Sequence, residues 1–130
     1  MTRELILTLG PIDEAAWLAR RAMAGDMGAA VYFAGVVRAT EQGGAIAAID
    51  YEAFERMARH QIELLFQQVE ERWPVQSVRL AHRIGRVAAG ETALWVEVIA
   101  PHRREAFAAC QFLIDEMKRE VPIWKTPLAQ

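Results

Sequence analysis

Two stretches of helical periodicity, each stopped by a proline, divide this sequence and limit what it can become. Between Phe54 and Trp73, the residues Ala58, Ile62, Leu65, Val69 and Trp73 recur three or four apart, and Pro74 ends the run. From Pro101 onward a second stripe runs through Ala106, Phe107, Cys110, Leu113, Ile114, Met117 and Val121, and Pro122 ends it. Pro101 stands at a favourable first-turn position. Two long one-sided helices need an apolar surface to cover.

The segments around them supply that surface as strands. Glu4 to Leu9 reads as a short strand closed by Gly10-Pro11, and Asp13 caps a helix running to about Met23. Gly28 to Arg38 is rich in Val and aromatics, as a strand is, and 39–45 reads as a loop turning at Gly43-Gly44. Ile46 to Glu52 alternates. In Gln76 to Gly85, Val78, Leu80, His82 and Ile84 share one face, with Arg79, Ala81 and Arg83 on the other. Ala88-Ala89-Gly90 is a turn, Glu91 to Ala100 alternates again, and Ile123 to Gln130 reads as a tail. This order predicts an α+β fold with a mainly antiparallel sheet and packed helices. The length, 130 residues, suits a single domain over 1–130.

Charge and cysteine content narrow the function classes. The net charge of −2 argues against a protein that coats nucleic acid, and no strand face combines aromatic and basic residues. Cys110 is the only cysteine, so no internal disulfide and no cysteine-rich zinc site is expected. Its place on the apolar stripe makes it a core residue. No apolar run reaches the length of a membrane span and the N-terminus has no leader pattern, so a cytoplasmic protein is expected. The three histidines have no metal-ligand spacing: His82 reads as a hydrogen-bonded core residue and His60 as a solvated one. Ser77 is the only serine, which leaves no basis for a serine triad.

Of the 15 basic residues 13 are arginine, and the two lysines, Lys118 and Lys125, both lie near the end. Only a lysine amine can give up its proton. Two readings fit: a local need for an amine, or an arginine bias with two lysines remaining. Lys118 also suits a helix C-terminus electrostatically. Lys125 follows Trp124, which can desolvate the amine, or can pack on the core and leave it in solvent. His102, Arg103 and Arg104 open the last helix, where its dipole disfavours cations. Together with free N–H groups they would form an anion site, or else solvated charge balanced by Glu105. Arg38, at a strand end before a loop, fits either an anion clamp or plain surface.

Taken together, these segments resemble the large, catalytic subunit of molybdopterin synthase. The matching pieces are VYFAGVVR (31–38), IDYEAFERMA (49–58), RWP (72–74), HRIG (82–85), AGE (89–91), APHRREAFAACQFLIDEMK (100–118) and VPIWK (121–125), in order over roughly 28–125. The resemblance implies an α/β-hammerhead-type fold with extra strands. It implies a sulfurtransferase that converts cyclic pyranopterin monophosphate to molybdopterin in molybdenum cofactor biosynthesis. The sulfur comes from the thiocarboxylated C-terminus of a small ubiquitin-like subunit, and two large subunits form the homodimer core of a heterotetramer. No metal, cofactor or nucleotide is implied for this chain.

Residue by residue, the resemblance assigns Lys118 and Lys125 as catalytic. Arg38, His102 and Arg103 become substrate-binding residues, Thr126 and Pro127 line the pocket, and Val36 and Val37 stand at its edge. Residues 121–130 form an active-site tail. The sequence departs from the pattern at Val36, where relatives often carry a polar or basic residue. It departs again at Glu41, where they often carry a neutral one and where a carboxylate is unwelcome beside a phosphate unless it points away. The chain ends five residues after Lys125, whereas relatives often continue. The alternative is a non-catalytic dimeric module that binds a small anion or a ubiquitin-like tail.

Overall fold

The computed structural model describes residues 1–130. In chain order the elements are β1 (Thr2–Thr8), α1 (Glu14–Ala19), β2 (Ala29–Val36), β3 (Thr40–Glu41), β4 (Gly44–Ala53), α2 (Glu55–Arg72), β5 (Ser77–Arg83), β6 (Gly85–Ala88), β7 (Thr92–Ala100), α3 (Arg103–Glu120) and β8 (Ile123–Ala129). They build two sheets. The first has the order β1-β5-β7-β2, with β1 parallel to β5 and the other pairs antiparallel. In the second, β4 lies between β6 and β8 and is antiparallel to both, while β3 pairs with the start of β4. The fold is α+β with sheets dominated by antiparallel pairing, as the element order predicts.

The two periodic helices do what their stripes require. Ala58, Ile62, Leu65, Phe66 and Val69 of α2 and Ala106, Ala109, Cys110, Leu113 and Met117 of α3 are buried. They pack with Val78 and Leu80 of β5 and Val96 and Val98 of β7 in one core cluster. Each large apolar side chain buried there contributes about 1.5–3 kcal/mol. The opposite face of the first sheet is also covered. Trp17 of α1 packs on Ala81 and Trp95, and β5 is buried along its whole length. Val37, Ile46, Ile49, Val87 and Ala93 form a smaller core under the second sheet.

Several local expectations are corrected. The segment read as a tail, 123–130, is mostly strand β8, paired with β4 from Ile46↔Ala129 to Ala53↔Ile123. Pro127 within it is tolerated because β8 is an edge strand. The strand read from Gln76 to Gly85 is β5, ending at Arg83, and a further, unexpected strand, β6, follows where Gly85 at φ 89° turns the chain out of the first sheet into the second. The predicted loop 39–45 is a hairpin, with Gln42 and Gly43 both at positive φ (51° and 81°), the signature of a two-residue turn with primed geometry. Helix α1 stops at Ala19 rather than Met23. The Gln76 side chain donates to the Ala22 carbonyl (2.9 Å) and accepts from Ala24 N–H (2.7 Å), which holds that backbone in a loop. Pro101 lies outside α3, its carbonyl accepting from Gly28 N–H at 3.1 Å, and His102 is the cap residue. Phe107, expected on the buried stripe, is 60% exposed.

Candidate active site

Strands β2, β4 and β8 bring three charged residues from distant parts of the sequence together. Arg38 follows the end of β2, Glu41 sits on the β3–β4 hairpin, and Lys125 is on β8. Lys125 Nζ donates to Glu41 Oε1 at 3.0 Å, and Arg38 Nη2 donates to Glu41 Oε2 at 3.4 Å. One carboxylate therefore spans both cations, one oxygen to each. Its side chain is only 10% exposed, whereas Lys125 is 53% and Arg38 74% exposed. The hydrogen bond and charge of Lys125, with a smaller contribution from Arg38, hold the Glu41 carboxyl below its usual value.

The pleat decides which neighbours share this face. Tyr51 is directly opposite Lys125 across the β4–β8 pair, and Ile49 is opposite Pro127, so all four side chains lie on one side of the sheet. Burial, and secondarily the charge of Glu41, raises the Tyr51 phenol above its ordinary value. The Tyr51 ring meets the edge of His82 at 5.1 Å. His82 is buried, its Nδ1 lies 2.6 Å from the Arg83 carbonyl oxygen, and burial pulls its pKa down. Thr126 falls on the other side of the sheet, opposite Asp50, which accepts from Arg86.

The remaining predicted residues are placed as follows. Val36 is half exposed at the end of β2. Val37 is buried in the smaller core, and its backbone is engaged with Glu91 O and Gly90 N, so it supports Arg38 from beneath. Lys118 is exposed in the last turn of α3. His102 and Arg103 are exposed at the start of α3, where the Glu105 carboxylate accepts from His102 N–H at 3.1 Å. That end is remote from Arg38. Pro101 adjoins the Ala29 end of β2, whereas Arg38 lies past its Val36 end, and the eight-residue strand between spans about 23 Å. Helix α3 runs back along β2 and β7, so its C-terminal turn with Lys118 returns toward the Arg38 end.

Glu41 and Tyr51 are the members that reading the sequence did not assign to the site. Glu41 stood out there only as an obstacle to an anion. Tyr51 carried no signal beyond its place in a strand. No three His, Cys, Asp or Glu side chains converge in a way that could hold a metal ion.

The MoaE protein family model matches residues 7–120. The chain belongs to the MoaE protein family. Among its relatives, a molybdopterin synthase catalytic subunit of Thermoplasma volcanium is 35% identical over 122 residues, covering 94% of this chain and 86% of that protein. The same subunit of Pyrococcus abyssi is 40% identical over 98 residues, 75% of this chain. That match spans only 66% of the Pyrococcus protein's length. The crystal structure of molybdopterin synthase from Staphylococcus aureus superposes with a TM-score of 0.86 at 29% identity, over 98% of this chain and 90% of that one. No helix of this MoaE family member is long and apolar enough to cross a membrane.

Proposed function

We propose that this MoaE family member is the catalytic subunit of a molybdopterin synthase. It moves sulfur from the thiocarboxylated C-terminus of a small ubiquitin-like subunit onto cyclic pyranopterin monophosphate, as a cytoplasmic enzyme of molybdenum cofactor biosynthesis. The observation that carries this reading is the convergence of Lys125 and Arg38 on a single carboxylate. Two cations from segments far apart in sequence are held at the spacing of one small anion.

In this mechanism the tail sulfur bonds to a side-chain carbon of the pterin as that carbon's bond to oxygen breaks. The oxygen leaves as water or stays on the phosphate, and the tail remains joined to the pterin as a thioester. Water then adds to the thioester carbonyl. Lys125, with Lys118, stabilises the resulting oxyanion and moves protons as the carrier leaves as a carboxylate. Opening of the cyclic phosphate and a second loaded carrier complete the dithiolene. Arg38, His102 and Arg103 hold the phosphate and pterin, with Pro127 and Val36 at the rim and Thr126 on the adjoining strand face. The separation of about 23 Å along β2 makes a second copy part of this reading. His102 and Arg103 of one subunit reach the Arg38–Lys125 cluster of the other, in a homodimer that carries one small subunit at each end.

Reconstitution tests the reaction: this chain, a thiocarboxylated ubiquitin-like carrier and cyclic pyranopterin monophosphate should yield the dithiolene product. Carrier binding without product would favour the non-catalytic module instead. Mixing tests the shared site. Lys125→Ala and His102→Ala proteins, each inactive alone, should recover part of the activity when their subunits are exchanged, because a mixed dimer contains one intact site. No recovery after verified exchange would place all the residues in one subunit.

A further inference from the structure

The cations of the candidate site already hold an anion, and it belongs to the chain. The Glu41 carboxylate contacts Lys125 at 3.0 Å and Arg38 at 3.4 Å and is nearly shielded from water, although it sits on a two-residue hairpin. The turn explains this placement. With Gln42 and Gly43 both at positive φ, the hairpin is tight and aims Glu41 from a fixed position opposite Gly44. The same contacts show how the carboxylate could leave. Arg38 is mostly exposed and reaches a single oxygen, and ion pairs with exposed partners are individually weak. The hairpin itself is short, with two residue pairs, Thr40↔Ala45 and Glu41↔Gly44, and one more bond from Ile46 N–H to the Ala39 carbonyl at 2.9 Å.

We propose that Glu41 is a specificity-determining residue, a resident carboxylate that any incoming anion must displace from Lys125 and Arg38. The proposal rests on reading these two cations as anion-binding. A monocarboxylate has the same charge as Glu41 and none of its pre-organisation, so it cannot compete. A phosphate monoester, the group that opening of the cyclic phosphate creates, carries more charge and three acceptor oxygens, whereas the unopened cyclic phosphate is a singly charged diester with no such advantage over Glu41. The resident carboxylate thus sets a threshold that favours the ring-opened phosphate monoester over free carboxylates and over the unopened ring, and keeps the cations paired until the ring opens.

The test is titration of the intact protein with inorganic phosphate and with acetate, comparing wild type with Glu41→Gln. Phosphate should bind the variant about three- to tenfold more tightly, and acetate binding should strengthen by at least as much, narrowing the preference between them. Unchanged or weaker binding of both anions would overturn the proposal. A second measurement needs no variant. In carboxyl-labelled wild type, saturating phosphate should release Glu41 and move its depressed titration up toward that of an ordinary glutamate. Phosphate that binds without moving it would overturn the proposal equally. Turnover separates this idea from the reaction assigned above. Tighter anion binding by Glu41→Gln without product from any loaded carrier would keep the threshold and remove the sulfur-transfer reading. Product formation with unchanged anion affinity would do the reverse.

Discussion

Arg79 and Arg38 each meet a glutamate, and the two contacts are built on opposite plans. Arg79 forks onto Glu97, with Nε to Oε1 at 2.7 Å and Nη2 to Oε2 at 2.8 Å, and also donates to the Trp17 carbonyl at 2.8 Å. Its guanidinium lies 5.4 Å from the Trp17 ring and 5.3 Å from the Trp95 ring, and Glu97 is fully buried. Arg38 touches Glu41 through one nitrogen at 3.4 Å and is otherwise in water. A closed, two-pronged pair is bound up in the fold. An open, single-pronged one leaves its cation free to change partners. A charge inside this sheet is locked into the fold, whereas the cations at the end of β2 and on β8 stay open to solvent.

The largest effect should come from breaking the closed pair. Glu97→Ala leaves a buried guanidinium without its counter-charge and should cost about 3–5 kcal/mol in urea unfolding. Replacing both partners with apolar residues of similar volume should cost far less. A single-variant cost below about 1 kcal/mol would place the buried pair in the class of exposed ones and dissolve the contrast.

Next in size is the open cluster. Lys125→Ala should lower turnover in the reconstituted reaction by about 10²–10³-fold, the usual effect of losing one oxyanion-stabilising group. Its stability should stay within about 0.5 kcal/mol of wild type, as for most surface substitutions. Lys125→Arg should keep carrier binding while losing proton transfer. A fully active Lys125→Ala protein would remove the catalytic role.

The smallest effect sharpens the comparison through pH. His82 is buried neutral, so its folded pKa lies below that of the free imidazole. As the pH falls below about 6.5 the unfolded chain takes up a proton that the folded chain refuses. Stability is therefore lost on acidification, with a slope of at most about 1.4 kcal/mol per pH unit, from about 6.5 down to the lowered folded value. Denaturant midpoints across that window should show the slope in wild type and lose it in His82→Gln. An equal slope in the variant would assign the acid sensitivity elsewhere.

Much of the fold is legible because periodicity is a local property. The stripes of α2 and α3 and the alternation in β5 and β7 can be read residue by residue, and they identify His82 and Cys110 as interior. Burial raises the Cys110 thiol to about 11, in keeping with a core residue rather than a nucleophile. The failures occur where one residue's geometry redirects the chain. Gly85 opens a further strand, β6, where none is predicted, Gln76 pins a loop that looks helical, and Pro127 disguises an edge strand as a tail. Lys125 stands out by the rarity of lysine and Arg38 by its strand-end position, and these two meet at Glu41. Tyr51 is not, because an ordinary strand tyrosine carries no mark of what lies across the sheet.

The sequence by itself determined the α+β class, the faces the two long helices bury, and membership of the MoaE family. All of these depend on spacing along the chain. Only the tertiary structure decided that Lys125 faces Tyr51 while Thr126 faces away, and that Glu41 joins Lys125 to Arg38. It also decided that His102 lies at the far end of β2 from all three. The last depends on the antiparallel pairing of β2 with β7, the first two on the register of β8 against β4 and on a two-residue turn. A one-residue shift in either would reverse every side chain concerned.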